Sequence, residues 1–150
     1  MSTKKKATPA AKPATKAPFT KKTMALYETA CKALKLNPTK SMPKVSGTPV
    51  KHQRAIMAFH MLTTIIEFVN GTWVADYNAG NQKHYTWHWV KASKKNPGGT
   101  GFSHACSLYF TTYANVGSRL SFSTASDEQK YRKPLEELYI AFKLIPTVKK

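Results

Sequence analysis

Tyr85, Trp87 and Trp89 alternate along His84-Tyr85-Thr86-Trp87-His88-Trp89-Val90, so a strand there carries three aromatic rings on one face. Rings in that arrangement can stack nucleobases of any sequence, each stack contributing about 1–3 kcal/mol. Lys83, Lys91, Lys94, Lys95 and Arg119 border the predicted strands and supply the cations that phosphates require. Seven further lysines, Lys4, Lys5, Lys6, Lys12, Lys16, Lys21 and Lys22, lie in the first 22 residues, with no acid among them. These residues form the candidate nucleic-acid-binding set. The same rings could instead fill a core beside Trp73 and Phe102, and at the level of sequence both readings stand.

Other chemistries find less to work with. Asp76 and Asp127 are the only acids that fall outside or at the edge of predicted helices, so no carboxylate pair for general acid–base catalysis is visible. Pro97-Gly98-Gly99-Thr100-Gly101 is glycine-rich but lacks the Gly-Lys-Ser/Thr ending of a phosphate loop and precedes a strand, which reads as a hairpin loop. No nucleophile elbow or Cys-His signature appears, and no enzyme is expected. His84 with His88, and His104 with Cys106, share strand faces and would suit zinc chemically, but the spacing matches no zinc family. His52 and His60 are eight apart and read as ordinary helix residues. No metal or other cofactor is expected.

The composition narrows the partners. Twenty-four Lys and Arg against seven Asp and Glu give a net charge of +17 over 150 residues. Such a balance speaks of polyanion affinity and not of fold, with nucleic acid the first partner and an anionic surface the second. Cys31 and Cys106 lie in different predicted elements and read as free thiols. No apolar leader opens the chain, and the longest apolar run, 55–69, is broken by His60, Thr63, Thr64 and Glu67, so no membrane association is expected.

The elements that must position these residues follow from period and punctuation. Residues 1–22, rich in Lys, Ala and Pro, hold one large apolar residue after Met1, Phe19, and read as a disordered basic tail. A single domain over 23–150 follows. Thr23 is the expected cap of a helix over Met24–Leu34, and 37–50 is a basic connector. His52–Val69 is the longest helical pattern, with Ile56, Phe59, Thr63, Ile66 and Val69 on one stripe broadened by Ala55, Leu62 and Ile65. Strands are expected at Gly71–Tyr77, His84–Val90, Phe102–Tyr113 and Ser118–Thr124. Ser126-Asp127-Glu128-Gln129 reads as a capping box opening a last helix, which Pro134 should kink or break. The whole predicts an α+β fold: a four-stranded antiparallel meander packed by helices mostly on one face.

Four stretches carry a family resemblance: Leu62 through Tyr77, Tyr85-Thr86-Trp87-His88-Trp89, Val116-Gly117-Ser118-Arg119-Leu120-Ser121-Phe122, and Leu138-Tyr139-Ile140-Ala141-Phe142. Over roughly residues 45–145 the chain resembles small uncharacterised proteins encoded by Bacteroidota and their tailed phages, crAss-like phages included. It departs from the family at Thr86, where a proline is usual, and at Arg132-Lys133-Pro134, where a Gly-Lys turn is usual. The resemblance implies a phage or mobile-element setting, and the Lys-rich tail lies outside it. The expectation is a sequence-nonspecific nucleic-acid-binding accessory protein, in the host cytoplasm with the nucleoid or in the virion. The alternative is a virion component, a decoration or cargo protein, whose folded domain binds other virion proteins.

Overall fold

Helix α1, Lys21–Ala33, starts three residues earlier than its pattern predicts, because Thr20 and not Thr23 is the cap. The Thr20 hydroxyl accepts from the Thr23 backbone N–H at 3.3 Å. Phe19, one residue earlier, is 4% exposed and joins the core together with Met24, the two positions of a hydrophobic staple. The domain thus begins inside the segment expected to be tail. A computed structural model gives this architecture for residues 18–75, 82–93, 96–110 and 118–144. At its other end, α1 closes with a Schellman turn: Leu36 N–H donates to the Cys31 carbonyl at 2.8 Å and Lys35 N–H to the Lys32 carbonyl at 3.2 Å. The residue in the left-handed position is Lys35, at φ 57°, where glycine is the usual choice.

The connector contains one short helix, α2, Pro38–Ser41, capped by the Asn37 side chain with Pro38 at its first position. Helix α3, Val50–Asn70, follows and packs against both α1 and α4, Ala125–Lys143. Two packing partners need a wider apolar face than one stripe. Ala58, Met61, Leu62, Thr64, Ile65 and Ile66 are buried, whereas Ile56 and Phe59, expected on the stripe, stand 39% and 37% exposed at its edge. Leu135, Leu138 and Tyr139 supply the α4 side of the core, and Tyr27, Ala30 and Cys31 the α1 side.

Helix α4 differs from expectation at its cap and in having no break. Its cap is Thr124, whose hydroxyl accepts from Asp127 N–H at 3.1 Å and donates to the Asp127 carboxylate at 2.7 Å. It also runs through Pro134 without a break in the helix. Proline removes one backbone donor. The buried residues that follow it, Leu135, Leu138, Tyr139 and Ala141, hold the second half against the core.

The four-stranded meander is not formed. The described residues are mainly helical, and their strands make one two-stranded antiparallel ribbon, β1, Lys83–Ser93, with β2, Asn96–Phe110. Residues 96–101, expected as a loop, belong to β2. The expected strand at 71–77 is a turn followed by irregular chain over its described part, 71–75, with 76 and 77 outside the described residues. The expected strand at 118–124 is a 3-10 turn, Ser118–Leu120, then a single bridge. There Phe122 and His84 exchange backbone hydrogen bonds of 2.7 and 3.1 Å. Gly71, at φ 59° and ψ −119°, turns the chain at the point where a strand was expected to start.

Candidate nucleic-acid interface

Among the residues whose exposure is described, exposed cations run along the first helices and their connector, while Lys83 of the ribbon is buried. Lys21, Lys22, Lys32 and Lys35 belong to α1 and its end, Lys40 to α2, Lys44 to the connector and Lys51 to α3, and all are exposed. Arg54 is also on α3, and Glu28 is the only acid from residue 18 to residue 60. Over residues 1–60 the sequence has thirteen Lys and Arg and one acid, so +12 of the +17 falls there. The asymmetry extends the acid-free charge of the first 22 residues through the basic connector, and a running count along the chain displays it.

Local electrostatics make the placement of these lysines unfavourable for the helices that carry them. Cations near a helix N-terminus oppose the macrodipole, each by about 0.3–1 kcal/mol. Helix α1 opens with Lys21 and Lys22 and has no acid in its first turn, and α3 opens with Lys51 and likewise has none. Helix α1 receives its negative charge from elsewhere. The Glu137 carboxylate of α4 accepts from the Thr23 hydroxyl at 2.6 Å, the Thr20 hydroxyl at 2.9 Å and the Thr20 N–H at 3.2 Å. Arg54 of α3 reaches the same carboxylate at 3.3 Å while lying over the Phe19 ring at 5.2 Å. Burial alone would raise the Glu137 carboxyl, but the hydrogen bonds from Thr23 and Thr20 and the charge of Arg54 outweigh it and hold it below the usual range.

The residues expected at the interface divide four ways. Lys21, Lys22 and Arg119 are exposed. Lys83 and Tyr85 are not: they are 3% and 6% exposed, so the first cannot serve as a sheet-edge phosphate contact and the second cannot serve as a stacking ring. Trp87, Trp89 and Lys91 lie on β1 opposite Cys106, Ser103 and Gly101. Lys4, Lys5, Lys6, Lys12, Lys16, Lys94 and Lys95 fall outside the described residues.

Burial at the start of β1 has a specific origin. Glu128 of α4 is fully buried, accepts from the Thr86 hydroxyl at 2.6 Å and is held by Arg132 through contacts of 2.7 and 3.1 Å. Those contacts raise Arg132 above its ordinary value, hydrogen bonding to Glu128 being the main cause. The carboxylate therefore clamps β1 to α4. Farther along, Lys143 lies 3.4 Å from His88 Nδ1 and 5.2 Å from the centre of the Tyr139 ring, and desolvation lowers its pKa.

Among the described residues the other titratable groups do not gather into a metal site. A bulge between Trp87 and His88 sets His88 opposite His104, whereas Cys106 faces Trp87 and His84 faces Tyr109. The four candidate zinc ligands are thus not two facing pairs. Among the described residues no group of three metal-ligating side chains comes together. Tyr27 and His60 meet at 3.1 Å beside Cys31, but Tyr27 and Cys31 are fully buried and join α1 to α3 within the core. No described helix is long and apolar enough to cross a membrane. No protein family, curated protein or solved structure matches the chain.

Proposed function

We propose that the chain is a sequence-nonspecific nucleic-acid-binding accessory protein, in the phage-associated setting that the family resemblance implies. Its phosphate contacts are assigned to the lysines of α1, α2, the connector and the start of α3, extended by those of the N-terminal segment. The observation that carries this reading is the run of exposed lysines over residues 18–60, opposed by Glu28 alone. Four of them sit where helix stability disfavours them: Lys21, Lys22 and Lys51 against the macrodipole, and Lys35 in a left-handed position. Local rules are commonly broken where function and not stability selects the residue.

Each phosphate contact to duplex DNA adds about 0.9 to the slope of log affinity against log salt. Changing Lys21, Lys22, Lys40, Lys44 and Lys51 together to Gln should therefore flatten that slope by several units, with equal effect on unrelated sequences. A salt titration by fluorescence anisotropy on two duplexes and one single strand measures it. An unchanged slope in a folded quintuple variant refutes the assignment.

A further inference from the structure

A cavity of about 320 Å³ lies between the last turns of α3, the chain leaving it and the 3-10 turn. Ile66 and Ala75, 1% and 7% exposed, give it an apolar floor, and the half-buried Trp73 forms a wall. Glu67 and Arg119 also line it, both exposed, and they do not pair with each other. Asn70 fixes the arrangement. Its side-chain amide donates to the Ser121 carbonyl at 2.8 Å, and its carbonyl oxygen accepts from Ser123 N–H at 3.0 Å. The element bearing Arg119 is thereby fastened to the end of α3. Trp73 is fastened too, its N–H donating to the Asn70 backbone carbonyl at 3.0 Å across the turn made by Gly71.

One indole, one acceptor-only carboxylate and one guanidinium around an apolar floor are a complementary set for a nucleotide. The ring stacks a base. The guanidinium takes a phosphate, for which its planar fork is suited. The carboxylate, near the negative end of the α3 macrodipole, selects a base edge rich in donors. Guanine alone among the common bases presents two adjacent N–H donors, N1–H and the exocyclic amine. Adenine and cytosine set a ring-nitrogen acceptor beside their amine, and uracil and thymine flank one N–H with two carbonyls. The volume is at the lower end of small-ligand pockets, about 300–1,000 Å³.

We propose that this cavity binds a guanine nucleotide, with the base against Trp73, its Watson–Crick edge on Glu67 and its phosphate on Arg119. A free nucleotide and the guanylate at the end of a strand share that chemistry. The inference is independent of the lysine-rich helices.

The test is calorimetric titration of the full chain with GMP, AMP, CMP, UMP and guanosine in high salt, which screens the surface lysines. GMP should bind at least about tenfold tighter than the other nucleotides, because a wrong base leaves the carboxylate facing an acceptor. Glu67→Gln should erase the base preference, and Arg119→Ala should make GMP and guanosine equal. Trp73→Ala should weaken binding about ten- to hundredfold while Trp73→Phe retains it. Circular dichroism verifies that each variant is folded. A 5′-phosphorylated single strand beginning with G, compared with one beginning with A, separates a strand-end ligand from a free one. Absence of GMP binding, equal binding of all four nucleotides, or GMP affinity unmoved in folded Trp73→Ala overturns the proposal. Salt-sensitive duplex binding that persists alongside such a failure removes the cavity assignment and leaves the polyanion reading standing.

Discussion

Two truncations that differ by five residues should behave as different proteins. Removing residues 1–17 takes away five lysines, from +17 to +12, and leaves Phe19, Thr20 and every described contact of α1 in place. Removing residues 1–22 also deletes a side chain that is 4% exposed, the α1 cap and the Thr20 contacts to Glu137. Phenylalanine truncation in a core costs about 3–5 kcal/mol, and the lower end applies at a chain terminus, where the site can collapse. Loss of the cap adds about 1 kcal/mol. The longer truncation should therefore lose about 4 kcal/mol, a large share of the stability of any single domain. The shorter one should stay within about 0.5 kcal/mol of the full chain. Urea unfolding followed by circular dichroism measures both. DNA binding should report the opposite contrast: the shorter truncation already flattens the salt slope by up to about 4–5. A 1–22 deletion as stable as the full chain refutes Phe19 as an anchor. An unchanged salt slope in the 1–17 deletion refutes the five lysines as phosphate contacts.

Further outcomes follow from single residues. Lys35→Gly should raise stability by about 1 kcal/mol by relieving the left-handed strain, while reducing the salt slope by about one contact, so that thermal melting and binding move in opposite directions. Glu128→Ala should cost about 3–5 kcal/mol, because it leaves Arg132 and the Thr86 hydroxyl without the carboxylate that both contact; chemical denaturation checks it. Gly71→Ala should cost about 1–3 kcal/mol, since its φ of 59° with ψ −119° is closed to a residue with a Cβ. Glu137, held below the usual carboxylate range in the folded state, contributes stability that is complete above the unfolded value and lost as pH falls through the folded one. Glu137→Gln should therefore narrow its stability gap to the parent chain as an acid titration of the melting temperature proceeds.

The helices were legible in the sequence because their apolar residues recur at three and four, but their ends and faces depended on partners that periodicity does not contain. Thr20 and Thr23 are equally good caps by residue type; the burial of Phe19 selects Thr20. The stripe through Ile56 and Phe59 is a valid reading of one face, yet α3 is packed by α1 and α4 together and buries a different set. Two of the four expected strands formed, within Lys83–Ser93 and Asn96–Phe110, and the other two failed for a related reason. Gly71–Tyr77 and Ser118–Thr124 alternate as strands do, but a strand needs a neighbour to pair with. Asn70 fastens the end of α3 to the Ser121–Ser123 backbone, which leaves Phe122 a single bridge to His84. Of the candidate site residues, Lys21, Lys22 and Arg119, chosen on charge alone, are exposed. Lys83 and Tyr85 were misplaced because the clamp that buries their strand is an acid on a distant helix, read in the sequence only as part of a capping box.

That clamp also bears on how the charge of this protein acts. Seven acids against twenty-four cations is already a lopsided surface, and the fold makes it more so. Four of the seven acids are on α4, and each is engaged there: Asp127 with the cap, Glu128 with Arg132 and Thr86, Glu136 with Lys133 at 3.2 Å, and Glu137 with Thr20, Thr23 and Arg54. Of these four, Glu137 alone reaches the start of α1 and the first turns of α3, at Thr20, Thr23 and Arg54, and the other three are engaged with α4, its cap and β1. Cations exposed on consecutive elements whose own sequence carries one acid add their fields where a polyanion would approach. The acids thus hold helices and ribbon together on one side of the chain's order, and the lysines are left uncompensated on the other. Reversing that division is a direct test of the idea. Moving a carboxylate into the basic stretch, as in Thr39→Glu on the exposed face of α2, should weaken DNA binding more than Gln129→Glu on the exposed face of α4, although both change net charge by the same amount. Equal weakening by the two variants would show that total charge alone governs binding and that its placement on the fold does not matter.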